Sequence, residues 1–308
     1  MRIEIIEPPR LNQHFCFWSG LFLRTVNKCR HSIRGYRNPR TFSPAQIERS
    51  VSYGMHVVEQ WRTALGEYTG SKSVFENKDI LELGPGPDLG TGLTLLALGS
   101  RSYTAFDRFR LIGQTPLLFY DVLLEKLKNY PFFERAQNAV QKIKNDEFSR
   151  DFMYISDRKY DLGSNQMGQY DLVVSQAVME HLDNPAQAIK EIYGKMRKNG
   201  IIFGEVDCGT HTGLLRDIDP LNLYRYSDAL WNIFKFKGSP NRILPSQYRS
   251  MLTDAGFEDV KSEPIRVYDE KYVRMSKARL SEKFRNAPKE DIEIKSFFLF
   301  GFKRGEKQ

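Results

Sequence analysis

Along the chain, the spacing of apolar positions changes character several times. Residues 1–40 carry Pro8, Pro9 and Pro39 and read as an irregular extension. Ser43 is an N-cap residue followed by Pro44, and Ile47, Val51, Met55, Val58 and Trp61 then recur at helical spacing, which predicts an amphipathic helix. The period then shortens. "DILEL" reads as a buried strand, "GLTLLALGS" as a helix, and "SYTAFD", ending at Asp107, as a second strand. Pro116 to Phe148 is predicted helical throughout, with Leu117, Val122, Leu124, Leu127, Val140 and Ile143 as its apolar positions. "DFMYISD" and "YDLVVSQ" read as strands. The helix in "DNPAQAIKEIYGKMRKNG" is punctuated at both ends. Asn184 caps it, Pro185 starts it, Lys195 to Lys198 suit its C-terminal dipole, and Gly200 ends it. "IIFGEVD" is a strand and "PSQYRSMLTDAGF" a helix. "VKSEPIRVYD" and "EIKSFFLFGFKR" are two strands separated by a long excursion.

Strands alternating with helices predict a seven-stranded, mostly parallel α/β sheet with helices on both faces, finished by an antiparallel C-terminal strand. Such sheets bind ligand beyond the C-terminal ends of their strands, where the strand order reverses. The organisation expected is an extension over 1–42 and one domain over 43–308. That domain carries a helical insertion at 112–148 and a lid segment at 208–243.

Composition narrows the classes. The chain has 308 residues, 41% of them apolar and 13% aromatic, enough for a sizeable core. Three cysteines, Cys16, Cys29 and Cys208, show no metal-site spacing, so no metal is expected and a reducing, cytoplasmic setting is. No apolar run reaches the roughly 20 residues of a membrane helix. "FCFWSGLFL" followed by the basic "RTVNKCRHSIRGYR", with Arg24, Lys28, Arg30, Arg34 and Arg37, leaves room for weak peripheral contact with an anionic membrane, or for packing on the main domain. The net charge of +8 is spread along the chain; it is compatible with nucleic acid but does not favour it.

The chemistry concentrates in "DILELGPGPDLGTG", residues 79–92. Gly84 and Gly86 fit the start of a dinucleotide turn, but Leu89 stands where the third glycine belongs. Pro85 and Pro87 remove two N–H donors from the turn, and Glu82 adds negative charge beside it. A phosphate is therefore disfavoured, and with it a nicotinamide dehydrogenase. A large ligand without phosphate, carrying positive charge, is favoured.

"ELGPG" resembles the first motif of class I S-adenosylmethionine-dependent methyltransferases, of the methyltransferase-11-like bacterial kind. The resemblance is strong over about residues 75–210 and looser over 245–302. It implies a Rossmann-like sheet with S-adenosyl-L-methionine as cofactor. Glu82, Gly84 and Gly86 would meet the cofactor's amino-acid end, and Asp107 its ribose hydroxyls. Asp157, or Asp161 close by, would meet the adenine amino group, while Ser175 and Gln176 in "YDLVVSQAVMEHLDNP" would face the cofactor. Asp88 departs from the family's pattern, which often has a third glycine there.

Motifs of other acceptor classes are missing. The fourth-strand region has Ser175-Gln176-Ala177-Val178 with no proline pair, and no cysteine near it; Cys208 follows the next strand. That elimination points to a hydroxyl or similar group on a small molecule or glycan intermediate. His211, in "VDCGTHTGLLRDIDPLNLYRYSDALW", is the expected general base, with His181 structural or touching the acceptor. Tyr224, Tyr226, Trp231, Phe234 and Phe236 would either stack on an acceptor or pack on the fold's own edge. An RNA methyltransferase and a non-catalytic binding protein with this fold are the alternatives, and the insertion would allow a homodimer.

Overall fold

The protein is described by a computed structural model over residues 3–9, 12–34, 43–163 and 167–305. Arg37 and Pro39 lie outside the described residues. In chain order the elements are β1 (Glu4–Ile6), α1 (Gln13–Arg34), α2 (Pro44–Thr69), β2 (Asp79–Leu83), α3 (Gly90–Ala97) and β3 (Ser102–Asp107). Then come α4 (Leu117–Leu127), α5 (Phe133–Asn145), β4 (Phe152–Ser156), β5 (Tyr170–Gln176), α6 (Pro185–Lys195) and β6 (Met196–Asp207). The chain continues through α7 (Leu215–Ile218), α8 (Asp228–Phe234), α9 (Pro245–Asp254), β7 (Glu258–Tyr268) and β8 (Ile294–Lys303), with three short helices between the last two strands.

The sheet order is β1-β7-β8-β6-β5-β2-β3-β4. Every pairing is parallel except those made by β8, which runs antiparallel to both β6 and β7. The expected Rossmann-like sheet is present, with β1 as an eighth strand paired to β7. The order reverses between β2 and β5, so a ligand crevice belongs beyond their C-terminal ends.

Alternation along the strands splits the core into two layers. Ile80, Ala105, Leu172 and Val174 face one side, where they pack with α2, α3, α4 and α5. Leu81, Leu83, Phe106 and Val173 face the other, packing with α6 and α9. Of the stripe predicted on α2, Ile47, Val51, Val58 and Trp61 are buried and Met55 is half-buried against the same layer.

Three local expectations are corrected. The stretch 116–148 is not one helix but two, α4 and α5, interrupted at Tyr130-Pro131. Proline has no N–H for the helical ladder and excludes the residue before it from helical backbone. The helix after Asn184 stops at Lys195 rather than Gly200, because Arg197 leaves it for β6 and pairs with Asp79 at 2.5 Å and Asp171 at 2.9 Å. The extension is not irregular. Cys16, Gly20 and Arg24, four residues apart, bury one face of α1 against residues 222–231, and a Cβ on Gly20 would lie 2.2 Å from the Tyr226 hydroxyl. Phe15, Trp18, Phe22, Val26 and Ile33 remain exposed on the helix, so apolar residues surround it and no period showed.

At the N-terminal edge, Asp79 accepts from Arg101 Nε (2.9 Å) and Nη2 (2.6 Å) and from Ser102 Oγ (2.6 Å). Burial alone would raise its carboxyl, but these donors and Arg197 outweigh burial and hold it below the usual carboxylate range. A depressed folded pKa contributes stability above the unfolded value, which is lost as pH falls through the folded one. Asp79→Asn is expected to cost about 1.5–3 kcal/mol in urea unfolding at neutral pH. The penalty should hold down to about pH 4 and shrink below it. A penalty independent of pH would show that the charge is not what matters there.

Candidate functional site

The glycine turn leaves β2 at the switch point. Gly84 (φ +61°) and Gly86 (φ +77°) both have left-handed backbone. Gly84 N–H donates to Phe106 O (2.8 Å), extending the β2–β3 ladder past the end of β2. A Cβ on Gly84 would lie 2.6 Å from Val178 Cγ2, whereas one on Gly86 would meet nothing within 4 Å. The turn is therefore closed against the β5 loop at one glycine and open at the other. Asp88, where the family often has glycine, is buried and accepts from Gly90 N–H (3.0 Å), turning the chain into α3. Glu82 is buried beneath the turn and accepts from Thr91 Oγ1 (2.6 Å) and Tyr103 OH (2.7 Å).

Asp107 ends β3 next to this turn. Its Oδ1 accepts from Phe109 N–H at 3.2 Å. Burial pushes its carboxyl above the ordinary range, although the N–H groups of Phe109, Arg108 and Gly86 face it and pull the other way. Asp157 follows β4 alongside: its N–H donates to Asp107 O (3.0 Å), and its carboxylate accepts from Lys159 N–H (2.7 Å). Asp161 is exposed further out and shares a recess of about 220 Å³ with Arg108, Tyr160 and Leu182.

The two residues expected after β5 are placed differently from each other. Ser175 is fully buried, its Oγ packed over Gly204 without a hydrogen-bond partner. Gln176 accepts from Trp61 Nε1 (3.1 Å) and donates to Glu205, which also pairs with Arg266. Ser175 is thus enclosed by packing, and Gln176 is engaged by partners up to 115 positions distant in sequence.

Beyond β5 the chain turns sharply at Ala177 (φ +53°) into a 3-10 turn, Met179–His181. This brings His181 to His211, which follows β6: His181 Nε2 and His211 Nδ1 are 3.1 Å apart. His181 Nδ1 lies 2.8 Å from Gly238 O, and His211 Nε2 lies 3.8 Å from Asp207 Oδ2. Burial, with the His211 ring beside it, lowers His181 to about 4, so the ring is neutral at physiological pH. Burial would raise Asp207, but the His211 ring and Gly209 N–H outweigh it and hold Asp207 at about 2. Glu180 completes the group. It is 2% exposed, and neither carboxylate oxygen has a hydrogen-bond partner. Burial first, then the Asp207 carboxylate, push its carboxyl well above the ordinary range, although the N–H groups of Glu180 and Asp207 lie towards it and pull the other way.

Sequence reasoning missed Asp207, Glu180 and Arg24. Arg24, buried on α1 between the rings of Tyr226 and Trp231, donates to Thr210 Oγ1 (2.8 Å), next to His211. The aromatic segment is mostly core: Tyr224, Tyr226 and Trp231 are buried together. Cys208 is buried and its thiol raised by burial, which disfavours the thiolate a nucleophile needs. Among the described residues no helix is long and apolar enough to cross a membrane.

A methyltransferase-domain family model matches residues 55–262. A search of curated proteins finds no match. Among solved structures, the chain is similar to an O-methyltransferase described as putative from Nostoc punctiforme, at 11% identity and a TM-score of 0.47, covering 94% of this chain and 72% of that one. It is also similar to an S-adenosylmethionine-dependent methyltransferase of Listeria monocytogenes, likewise described as putative, at 13% identity and a TM-score of 0.41, over 75% and 93% of the two chains. Human N-acetylserotonin methyltransferase, solved with its cofactor, matches at 15% identity and a TM-score of 0.41, over 95% and 68%. With the family model spanning β2 to β7 and the glycine turn at the switch point, the chain belongs to the methyltransferase-domain family and is an S-adenosylmethionine-dependent methyltransferase.

Proposed function

We propose that the enzyme methylates a hydroxyl oxygen of a small molecule or glycan intermediate, presented at the His181–His211 group. The observation that carries this reading is the contact between the two halves of the crevice. Val178 packs on Gly84 of the turn, three residues before His181. The cofactor loop and the paired imidazoles therefore share one edge of the sheet.

The residues fit the cofactor at two places. The open space beside Gly86 admits a ligand close to backbone, and Asp107 offers carboxylate oxygens to a vicinal diol at the end of the neighbouring strand. Gly84, Gly86 and Asp107 would hold the amino-acid end and the ribose, with Asp157 near the adenine. Glu82 acts from below, fixing Thr91 and Tyr103 under the turn. Ser175 and Gln176 support the walls. When bound, S-adenosylmethionine supplies a methyl group on a positively charged sulfur, open to in-line displacement. The chain's own task is to align the acceptor oxygen with that methyl, exclude water and let the hydroxyl proton leave. In this reading His211 and His181 do this, and their contacts to Asp207 and Gly238 support it. Buried Asn222, Arg225 and Tyr272 all bond Asp219 and brace the segment that carries His211.

Two substitutions separate the halves of the site. Asp107→Ala should weaken S-adenosylhomocysteine binding by about 1.5–3 kcal/mol, the range for a hydrogen bond to a charged group. An unchanged affinity in folded protein would remove Asp107 from the cofactor site. His211→Ala should leave that affinity intact and slow labelled-methyl transfer to hydroxyl-bearing small-molecule or glycan pools by roughly 100-fold or more. Full activity of this variant, or transfer to RNA alone, would overturn the acceptor assignment.

A further inference from the structure

We infer that Glu180, His181 and His211 form a binding site for a divalent transition-metal cation. This rests on the reading above and deepens it, since the cation would stand where the acceptor oxygen is activated. One ligand atom from each residue can be chosen so that all three lie within 4.8 Å of one another. The 3.1 Å between His181 Nε2 and His211 Nδ1 is compatible with two nitrogens on one cation at about 2.0–2.1 Å each.

The proton arrangement argues the same way. Gly238 O is a carbonyl and only accepts, so the His181 proton sits on Nδ1 and Nε2 presents a lone pair. Were His211 Nδ1 to donate to it, His211 Nε2 would become a bare lone pair. That atom is buried without a hydrogen-bond partner and faces the Asp207 carboxylate at 3.8 Å, an arrangement that repels. With the proton on Nε2, His211 is steered by Asp207 and its Nδ1 is the lone pair. In neutral His211 two lone pairs then face each other, which a proton or a metal cation between them resolves. The backing of one imidazole by a carbonyl and the other by a carboxylate is how metal-binding histidines are held in register.

Glu180 is the independent observation. A carboxylate that is 2% exposed, with neither oxygen in hydrogen-bond geometry with a donor and only the N–H groups of Glu180 and Asp207 lying towards it, carries a desolvation penalty that a bound cation would offset. Its backbone is tied to Asn241, whose N–H donates to Glu180 O and whose Nδ2 donates to the neighbouring Met179 O (3.0 Å). Two imidazoles and a carboxylate suit zinc, manganese, iron, cobalt or nickel better than the all-oxygen preference of magnesium or calcium. Three protein ligands would leave positions open for an acceptor oxygen, whose acidity the cation raises; with both imidazole lone pairs on the cation, the proton passes to solvent water and not to His211.

The test uses the full chain, stripped with a chelator. Zn²⁺ is titrated calorimetrically, and Co²⁺ is followed by visible absorption. One equivalent of Zn²⁺ should bind, and the cobalt form should show the intense absorption of low-symmetry nitrogen coordination. His181→Ala and Glu180→Gln should each lower affinity by more than about 10-fold, the least expected when even a partner behind a ligand is lost. Both should keep wild-type S-adenosylhomocysteine affinity. Absence of saturable Zn²⁺ binding to the wild type, or equal affinity in the variants, overturns the site. Should a variant not fold, the wild-type cobalt spectrum decides, a weak six-oxygen-type spectrum being the contrary result. Failure of the methyltransferase reading would show instead as loss of wild-type S-adenosylhomocysteine binding, which the metal titration does not involve.

Discussion

Carboxylates buried or half-buried at the C-terminal ends of the strands impose the constraint around which the site is built. Glu82 stands buried near the end of β2, half-buried Asp107 at the end of β3, and Glu205 and Asp207 buried at the end of β6, with buried Glu180 just after β5. A buried charge must be matched or it raises the free energy of the fold by several kcal/mol. Glu82 is matched by Thr91 and Tyr103, Glu205 by Gln176 and Arg266, and Asp207 by Gly209 and His211. Asp107 faces backbone N–H groups but remains shifted towards its neutral form, as does Glu180. The edge is thus negative and incompletely compensated. A phosphate would meet this field, in a turn stripped of two N–H donors by Pro85 and Pro87, with little to hold it. A ligand bearing a sulfonium and an ammonium meets the same field favourably.

The scaffold keeps these charges in place by ties that cross the sheet. The path Trp61–Gln176–Glu205–Arg266–Ser296 links α2, β5, β6, β7 and β8 through side chains alone. Near the imidazole pair, Arg24 of α1 reaches Thr210, and Asn222 donates to Cys16 O (2.8 Å), so the N-terminal helix is part of the support for the loop carrying His211. Arg108 joins the loop after β3 to Asp183 beyond β5 at 3.0 Å.

What was legible in the sequence was what local rules dictate. A glycine turn after a buried strand, an acidic residue ending the next strand and two histidines beyond strands are local signals, and Gly84, Gly86, Asp107, His181 and His211 all lie at the expected edge. Roles set by long-range pairing were not legible. Nothing near Gln176 announces that Trp61 and Glu205 will occupy it, and nothing near Ser175 shows that Gly204 will lie under its hydroxyl. Helix α1 was hidden for the opposite reason: with Phe15, Trp18 and Phe22 on one face and Cys16 and Gly20 on the other, its apolar residues have no readable period. The importance of Glu180 and Asp207 arises only when β5 and β6 lie side by side, bringing positions 180, 207 and 211 together.

The central claim is that this negative, donor-poor edge selects an adenosyl ligand carrying positive charge over a phosphate-bearing one. Parallel calorimetric titration of the purified protein with S-adenosylmethionine, S-adenosylhomocysteine and NAD tests it most directly. The account predicts binding of the adenosyl pair in roughly the micromolar range and no binding of NAD. Binding of NAD, or silence from the adenosyl pair in folded protein free of carried-over ligand, would contradict it.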